Sequence, residues 1–392
     1  MNLASKYIRQ FIDQSRRSSG VLCIAILLVF IVAGFWPFNF FPKNKVEWLQ
    51  DRDGVRFYGQ SMIVDTDLNR KGPASLFYTR SITLELRLRP LLETSNAPNI
   101  LTLYDGKTPD IVAVKQWRAH LVIRSRTDDP AAGKRGKPYQ EIGLHKALPK
   151  DQDAFITITS GAAGSAVYLN GQLARTYPRH RLLAGGIQGN VRLILGNSPT
   201  GESYWNGNLM GLAIYNRTLT PDEAFRDYQS WLQNDSFSIK QASGLIGLYP
   251  FYEKKGEMIH NVANSDETLI IPETFKPVQR KFLSLPGPDF RWNWSFVQDV
   301  TINLLGFIPF GFFFAAFLIK TTNMKRGVSY FIAAMVGVGL SLSIELIQAW
   351  LPTRDSSLTD VICNSAGTIL GIVIFQIFKF REFREEFRGE YT

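Results

Sequence analysis

The sequence has very few residues that could form a disulfide or a thiolate metal site. Its 392 residues include two cysteines, Cys23 and Cys363, and four histidines. Both cysteines fall inside apolar runs, so the region between them can form no disulfide and no cysteine-based zinc or redox cluster. We interpret each cysteine as a small buried hydrophobic residue. Loop Asp and Asn residues leave calcium binding open, but none has the spacing of a dedicated calcium loop, and no motif supports a metal or a cofactor.

Charge is almost absent from four stretches of the chain. They cover residues 21–38, 300–319, 328–351 and 358–378. Each is close to the length of about 20 residues that a helix needs to cross roughly 30 Å of hydrocarbon. The first run is longer than the apolar part of a signal peptide, and no convincing small-residue cleavage site follows it. We therefore predict four membrane helices, of which the first is an uncleaved anchor.

Acidic residues are fewer than basic ones, 34 against 44. Much of the basic excess lies beside the apolar runs, which favours membrane topology over a nucleic-acid partner. Basic residues precede the first helix, separate the second from the third and follow the fourth. The sequence thus predicts a multi-pass protein of the inner cell membrane, with both termini in the cytoplasm and residues 41–298 outside it. Apolar residues on one helical face near each terminus, including Tyr7, Phe11, Phe383 and Phe387, predict helices that lie on the membrane surface.

Short alternating runs replace the long apolar ones between residues 46 and 275. In residues 81–90, Ile82 and Leu84 begin an apolar face, and Glu85 and Arg87 belong to the opposite face. Further strands are predicted at residues 99–104, 111–114, 120–123, 154–160 and 191–195. Such strands, bounded by Gly, Pro, Asn and Asp, are typical of an antiparallel β-sandwich. The predicted fold is therefore α and β multidomain, with this sandwich inserted after the first membrane helix.

Two stretches carry a resemblance to a known fold. Asn170-Gly171 supplies the positive φ angles of a tight hairpin turn. The second stretch covers residues 205–223. Both stretches resemble concanavalin A-like domains of the laminin-G type, and in that family the second stretch is a core strand followed by a short helix, here over residues 221–232 with Thr220 as its cap. The resemblance implies a jelly-roll sandwich and, if it binds a ligand, a glycan or a protein.

Some sandwiches of this type hydrolyse glycans with two carboxylates on one strand. Glu85 has no acidic partner on its own strand. We therefore interpret Glu85 as part of a solvated strand face. The fold alone does not decide the function.

Polar residues recur at helical spacing in the last three apolar runs. They are Asp299 and Asn303 in the second helix, Gly337, Ser341, Glu345 and Gln348 in the third, and Asp360, Asn364, Gly367 and Gly371 in the fourth. By the predicted orientation all lie toward the outer side, with Glu345 roughly 9 Å below the end of its helix. An acid there needs a partner, and Arg354 in the following turn is the nearest by sequence. Gly367 and Gly371 allow close helix packing.

The same residues fall into five ordered blocks. These are Asp299-x-x-x-Asn303, Phe307-Ile-Pro-Phe-Gly311, Ser343-Ile-Glu-Leu-Ile-Gln348, Pro352-Thr-Arg354, and Leu358-Thr-Asp-Val-Ile-Cys-Asn364, followed by Gly367 and Gly371. Together they resemble the VanZ family. The resemblance implies a role at the cell envelope, and the family's founding association is with resistance to a glycopeptide antibiotic. We predict Asp299, Asn303, Glu345, Gln348, Arg354, Asp360 and Asn364 as ligand-binding residues, and Gly311, Gly337, Gly367 and Gly371 as packing positions.

Several roles stay open for these residues. Asp299 and Asp360 could cap helices, and Asn303 and Asn364 could join helices by hydrogen bonds. Our first hypothesis is a polar pocket for a lipid headgroup, a lipid-linked glycan or an amphiphilic glycopeptide, in which Arg354 meets an anionic head. The alternative is an enzyme acting on a lipid-linked envelope precursor, with Glu345 or Asp360 as the base. A simple anchor and a transporter are further options, and the oligomeric state stays open.

These expectations divide the chain into six parts. They are an amphipathic cytoplasmic N-terminus (1–19), a first membrane helix (20–41), the sandwich (46–275), a linker (276–294), three membrane helices (295–379) and a cytoplasmic tail (380–392). The expected partners are membrane lipids and an envelope glycan or protein.

Overall fold

The computed structural model describes residues 16–65, 80–107, 110–127, 137–183, 191–265, 267–280, 282–285, 294–352, 354 and 356–389. The chain forms two compact units, one made of Phe41–Gln279 and the other of Met1–Phe40 with Arg280–Thr392. Tyr7 and Phe11 of the predicted N-terminal surface helix and the side chains of Phe383 and Phe387 lie outside the described residues.

Within the described residues, Phe41–Gln279 contains two eight-stranded sheets. The first sheet is formed by β1 (Val46–Trp48), β2 (Val55–Phe57), β4 (Ile82–Pro90), β9 (Ala154–Gly161), β10 (Gly164–Leu169), β11 (Gln172–Tyr177), β13 (Gly207–Tyr215) and β14 (Leu245–Tyr249). Its strand order is β1-β2-β13-β4-β9-β10-β11, and β14 also pairs with β13. The second sheet is formed by β3 (Ile63–Asp65), β5 (Asn99–Tyr104), β6 (Val112–Trp117), β7 (His120–Arg126), β8 (Tyr139–Leu144), β12 (Arg192–Leu195), β15 (Met258–His260) and β16 (Thr268–Ile270). Its strand order is β15-β16-β3-β12-β5-β6-β7-β8. Neighbouring strands run antiparallel, so the predicted antiparallel sandwich is confirmed.

The core of the sandwich comes from the apolar faces of both sheets. Ile82, Leu84, Leu86 and Leu88 of β4 are all 0% exposed, and they belong to one cluster with Leu101 and Leu103 of β5. The alternation in the sequence therefore predicts this buried face correctly, because successive side chains of a strand point to opposite sides.

The predicted hairpin and helix are both present. Asn170 and Gly171 connect β10 to β11 with φ angles of 50° and 75°, the positive values that a tight turn between twisted strands requires. Helix α2 (Pro221–Leu232) begins with a capping box: the Thr220 side chain accepts from the Glu223 N–H, and the Glu223 carboxylate accepts from the Thr220 N–H. A short helix, α3 (Ser236–Lys240), follows.

The second face of β4 differs from our expectation at Glu85. This residue is 0% exposed, so its prediction as part of a solvated face is wrong. The Trp231 indole of α2 donates a hydrogen bond to Glu85 Oε2 over 3.2 Å, because α2 covers this face of the sheet. Burial, followed by the nearby charge of Asp227, raises the pKa of Glu85 well above its usual value.

The part of the second unit that the structure describes contains four helices. They are α1 (Arg16–Phe35), α4 (Trp294–Thr321), α5 (Arg326–Gln348) and α6 (Leu358–Gly389). Three helices among the described residues are long and apolar enough to cross a membrane, namely the spans Phe296–Thr321, Arg326–Gln348 and Leu358–Arg381. The described apolar part of α1, Gly20–Phe35, is shorter than these three.

Glycines bring α4 and α6 into backbone contact. A Cβ atom added at Gly311 would lie 2.0 Å from the Thr368 carbonyl oxygen, and one added at Gly367 would lie 2.2 Å from the Leu304 carbonyl oxygen. The same construction at Gly371 gives 2.1 Å to the Ile308 carbonyl oxygen. On α5, a Cβ at Gly337 would lie 2.5 Å from the Thr368 methyl group. Any larger side chain at these positions would force the helices apart.

Candidate functional site

A cavity of about 660 Å³ lies among the four helices of the second unit. All seven predicted ligand-binding residues line it: Asp299, Asn303, Glu345, Gln348, Arg354, Asp360 and Asn364. Each helical stripe contributes because residues three or four positions apart share one face of a helix. The structure therefore brings together polar residues that are up to 65 positions apart in the sequence, from Asp299 to Asn364.

One acidic cluster lies where α4 faces the start of α6. The Asp360 carboxyl interacts with the side chains of Asn303 and Ser357, and the charge of Asp299 acts on it as well. Asp299 is exposed and Asp360 is half-buried. Both carboxyl groups line the same cavity, so a positive charge between them would be favourable.

Glu345 is the most deeply buried acid of the cavity, with 2% of its surface exposed. Its Oε2 atom accepts a hydrogen bond of 2.7 Å from the Ser357 N–H, just before α6 begins. The backbone N–H groups at a helix start have no partner inside the helix, so a carboxylate satisfies one of them there. Glu345 therefore links the end of α5 to the start of α6.

Arg354 has partners other than the one we expected. Its Nη2 atom donates to the carbonyl oxygens of Ala33 and Trp36, at 3.4 and 3.3 Å. Arg354 therefore contacts the end of α1 where we expected it to pair with Glu345. The last carbonyls of a helix have no partner inside the helix, and they attract a cation. The nearby Gln348 Nε2 atom donates to the Gly34 carbonyl oxygen at 2.9 Å. Both residues thus hold the end of α1 against α5 and the turn that follows it.

Asn364 lies deepest on α6 among the polar residues of the cavity. Its Nδ2 atom donates to Ser341 Oγ at 2.9 Å, and its backbone carbonyl accepts from Thr368 Oγ1 at 3.0 Å. The Asn364 Oδ1 atom is buried and has no hydrogen-bond partner. The residue is only 3% exposed. Asn364, a lining residue of the cavity, therefore carries a buried acceptor that is not used within the structure.

Apolar residues from α1 and α4 complete the wall. The rings of Phe30 and Phe307 stack with centroids 4.3 Å apart, and both line the cavity together with Ala33 and Gly34. The α1 residues were not predicted because the apolar part of this helix, Gly20–Phe35, has no charged or amide side chain. The adjacent small residues Ala33 and Gly34 were the available signal, since small residues mark close helix contacts. The cavity is therefore lined by both polar and aromatic side chains.

Two family models match the chain. A model of the concanavalin A-like lectin/glucanases superfamily matches residues 68–224, and the VanZ/LLP1 model matches residues 224–379. The second match includes all seven predicted ligand-binding residues and the whole of α4 and α5. No curated protein matches the chain.

The solved structures that match the chain include three botulinum neurotoxin structures. One is the binding domain of Botulinum neurotoxin DC in complex with rat synaptotagmin II, which is 16% identical with a TM-score of 0.36 and covers 47% of this chain and 46% of its own. Another, of botulinum neurotoxin type C, has a title that names its interaction with two ganglioside molecules; it is 18% identical with a TM-score of 0.36, covering 48% and 45%. The third is the Botulinum Neurotoxin Type G receptor binding domain, 13% identical with a TM-score of 0.34, covering 48% and 45%.

This chain spans less than half the length of each of these structures. The architecture is instead given by the two family matches, which meet at residue 224. The chain therefore carries a concanavalin A-like domain at residues 68–224 and a VanZ-like region at residues 224–379, and the described residues of the VanZ-like region include three helices long and apolar enough to cross a membrane.

Proposed function

We propose that the cavity binds the polar head of an amphiphilic molecule from the outer leaflet of the cell envelope, without catalysing a reaction. The observation that carries this proposal is the shared lining: seven polar side chains and an aromatic wall meet in one cavity among apolar helices. A polar head fits beside carboxyl and amide groups, and its chain fits beside Phe30 and Phe307. Intramembrane ionisable groups are costly and commonly mark binding sites, which supports the same conclusion.

The proposed topology has four membrane-spanning helices, with α1 as the first. Both termini lie in the cytoplasm, and the sandwich lies outside it. The support is the position of basic residues such as Arg326 at the start of α5 and Lys379 near the end of the apolar part of α6. This places the cavity at the outer ends of α4, α5 and α6.

The orientation can be measured with a cysteine placed on the sandwich. Leu173 of β11 is 52% exposed, so Leu173→Cys should react with a membrane-impermeant maleimide on cells whose outer barrier has been opened. Both natural cysteines should be replaced by serine in the same protein. Labelling that requires lysis of the inner membrane would reverse the proposed orientation.

Filling the cavity tests the binding proposal. Gly306 lines the cavity, and a Cβ atom added there meets no atom within 4 Å. Gly306→Leu should therefore fold normally and lower the amount of lipid or amphiphile that co-purifies with the protein by about tenfold, a loss of about 1.4 kcal/mol. Native mass spectrometry of the full-length protein in detergent measures the bound molecules.

The matched control is Gly339→Leu. A Cβ at Gly339 also meets no atom within 4 Å, but this residue of α5 does not line the cavity. Equal ligand occupancy in the wild type and in Gly306→Leu would refute the proposal. Binding of a glycan or a protein by the sandwich, which we propose as its role outside the membrane, should persist in both variants.

A further inference from the structure

The charges around the cavity are unequal. Among the described residues, three carboxyl groups line it, those of Asp299, Glu345 and Asp360, against one guanidinium, that of Arg354. Arg354 faces the carbonyl oxygens at the end of α1, which are themselves acceptors. An anionic head would therefore meet more negative than positive charge, contrary to the first interpretation of Arg354 as its partner.

The amide of Asn364 gives a second, independent indication. Asn364 lines the cavity one helical turn from Asp360, and its Oδ1 atom is buried and has no hydrogen-bond partner. A buried acceptor is satisfied only by a group that donates a hydrogen bond. A phosphodiester or carboxylate group carries no proton at neutral pH and cannot fill this role. An ammonium group carries up to three donors and a positive charge.

The aromatic wall is compatible with the same group. Phe307 lies one turn from Asn303 on α4 and stacks with Phe30 of α1. A cation is attracted to the face of an aromatic ring, and an aliphatic chain also packs well against it. An amine-bearing amphiphile combines hydrogen-bond donors, a positive charge and an apolar chain in one molecule.

We propose that the cavity selects molecules whose polar head carries a protonated amine. The amine donates its N–H groups to Asp299, Asp360 and the Asn364 amide oxygen, while the apolar chain lies along Phe30 and Phe307. This inference rests on the proposed binding function and names its ligand class. The amine can belong to a membrane lipid or to a soluble amphiphile, and the two sources are separated by the choice of probe.

The experiment compares probes that differ in head charge. Full-length protein in detergent is mixed with phosphatidylethanolamine or phosphatidylglycerol of identical acyl chains, or with decylamine, and the bound molecules are counted by native mass spectrometry. The wild type should bind phosphatidylethanolamine at least about tenfold better than phosphatidylglycerol, a preference of about 1.4 kcal/mol. Asp299→Asn, at an exposed position that should not disturb folding, and Asp360→Asn should each reduce that preference severalfold.

Glu257→Gln removes one exposed acid from the sandwich and should leave the preference unchanged. Decylamine binding without phosphatidylethanolamine binding would support the amine and identify a soluble amphiphile as its source. A preference for phosphatidylglycerol that Gly306→Leu abolishes and Asp299→Asn leaves intact would overturn the amine and keep the binding function. Binding of all probes that is insensitive to Gly306→Leu would overturn the binding function itself.

Discussion

Gly367→Leu should abolish the folded membrane unit. The first atom of the new side chain would lie 2.2 Å from the Leu304 carbonyl oxygen, much closer than two non-bonded atoms can approach. Backbone cannot swing aside as a flexible side chain can, so α4 and α6 must separate. We expect a destabilisation of about 3 kcal/mol or more, near the upper end of overpacking effects. The amount of monodisperse protein recovered in mild detergent should fall at least about tenfold, as measured by size-exclusion chromatography.

Gly339→Leu again serves as the control for the helix propensity and size of leucine. Its side chain would project from α5 into open space, so recovery of this variant should match the wild type. Gly311→Leu should behave like Gly367→Leu because its Cβ would lie 2.0 Å from the Thr368 carbonyl oxygen. Normal recovery of both Gly311→Leu and Gly367→Leu would show that the two helices do not pack through their backbones.

Glu85→Gln should stabilise the sandwich as the pH rises. The pKa of Glu85 is raised in the folded protein, chiefly by burial, so the folded state favours the protonated acid. The stabilisation from this group is complete below the unfolded pKa of about 4.3 and is lost as the pH rises through the higher folded value. Glutamine stays neutral and can still accept from the Trp231 indole. Over that window the variant should gain about 1.4 kcal/mol on the wild type for each pH unit.

Thermal unfolding of the full-length protein between pH 4 and pH 8, followed by tryptophan fluorescence, measures this effect. Glu257→Gln is the control, since an exposed acid on the sandwich should show no such dependence. Glu85→Leu should instead be less stable by about 1–3 kcal/mol at low pH, because it leaves the Trp231 N–H without an acceptor. A constant difference between Glu85→Gln and the wild type at every pH would contradict a raised pKa.

The regular spacing of residues predicts the parts of this protein that depend on local geometry. The alternation in β4 predicts which side chains enter the core, and Asn170-Gly171 predicts the hairpin turn, because both follow from backbone angles alone. The stripe from Asp360 to Gly371 similarly predicts one face of α6. The structure places the polar end of that stripe at the cavity and its glycines against α4.

Features that depend on distant segments could not be predicted in this way. The burial of Glu85 requires α2 to cover the second face of β4, and nothing in the sequence of β4 indicates that cover. Arg354 lies close to Glu345 in the sequence, whereas its observed partners Ala33 and Trp36 are more than 300 positions away. Proximity in sequence suggested Glu345, whereas unpaired carbonyls at the end of α1 provide the observed contact. Such pairings are determined by which helix ends meet.

In the proposed binding mode, the glycine contacts also limit how deep a polar head can enter. On α6 the lining of the cavity stops at Asn364, and three residues later Gly367 touches the backbone of α4. At this level α4 and α6 leave no room for a side-chain atom between them, so main chain closes the cavity on this side. By the same proposal, substitutions at Asp299, Asn303 or Asp360 should change which head is accepted, whereas the position of the glycines limits how long that head can be.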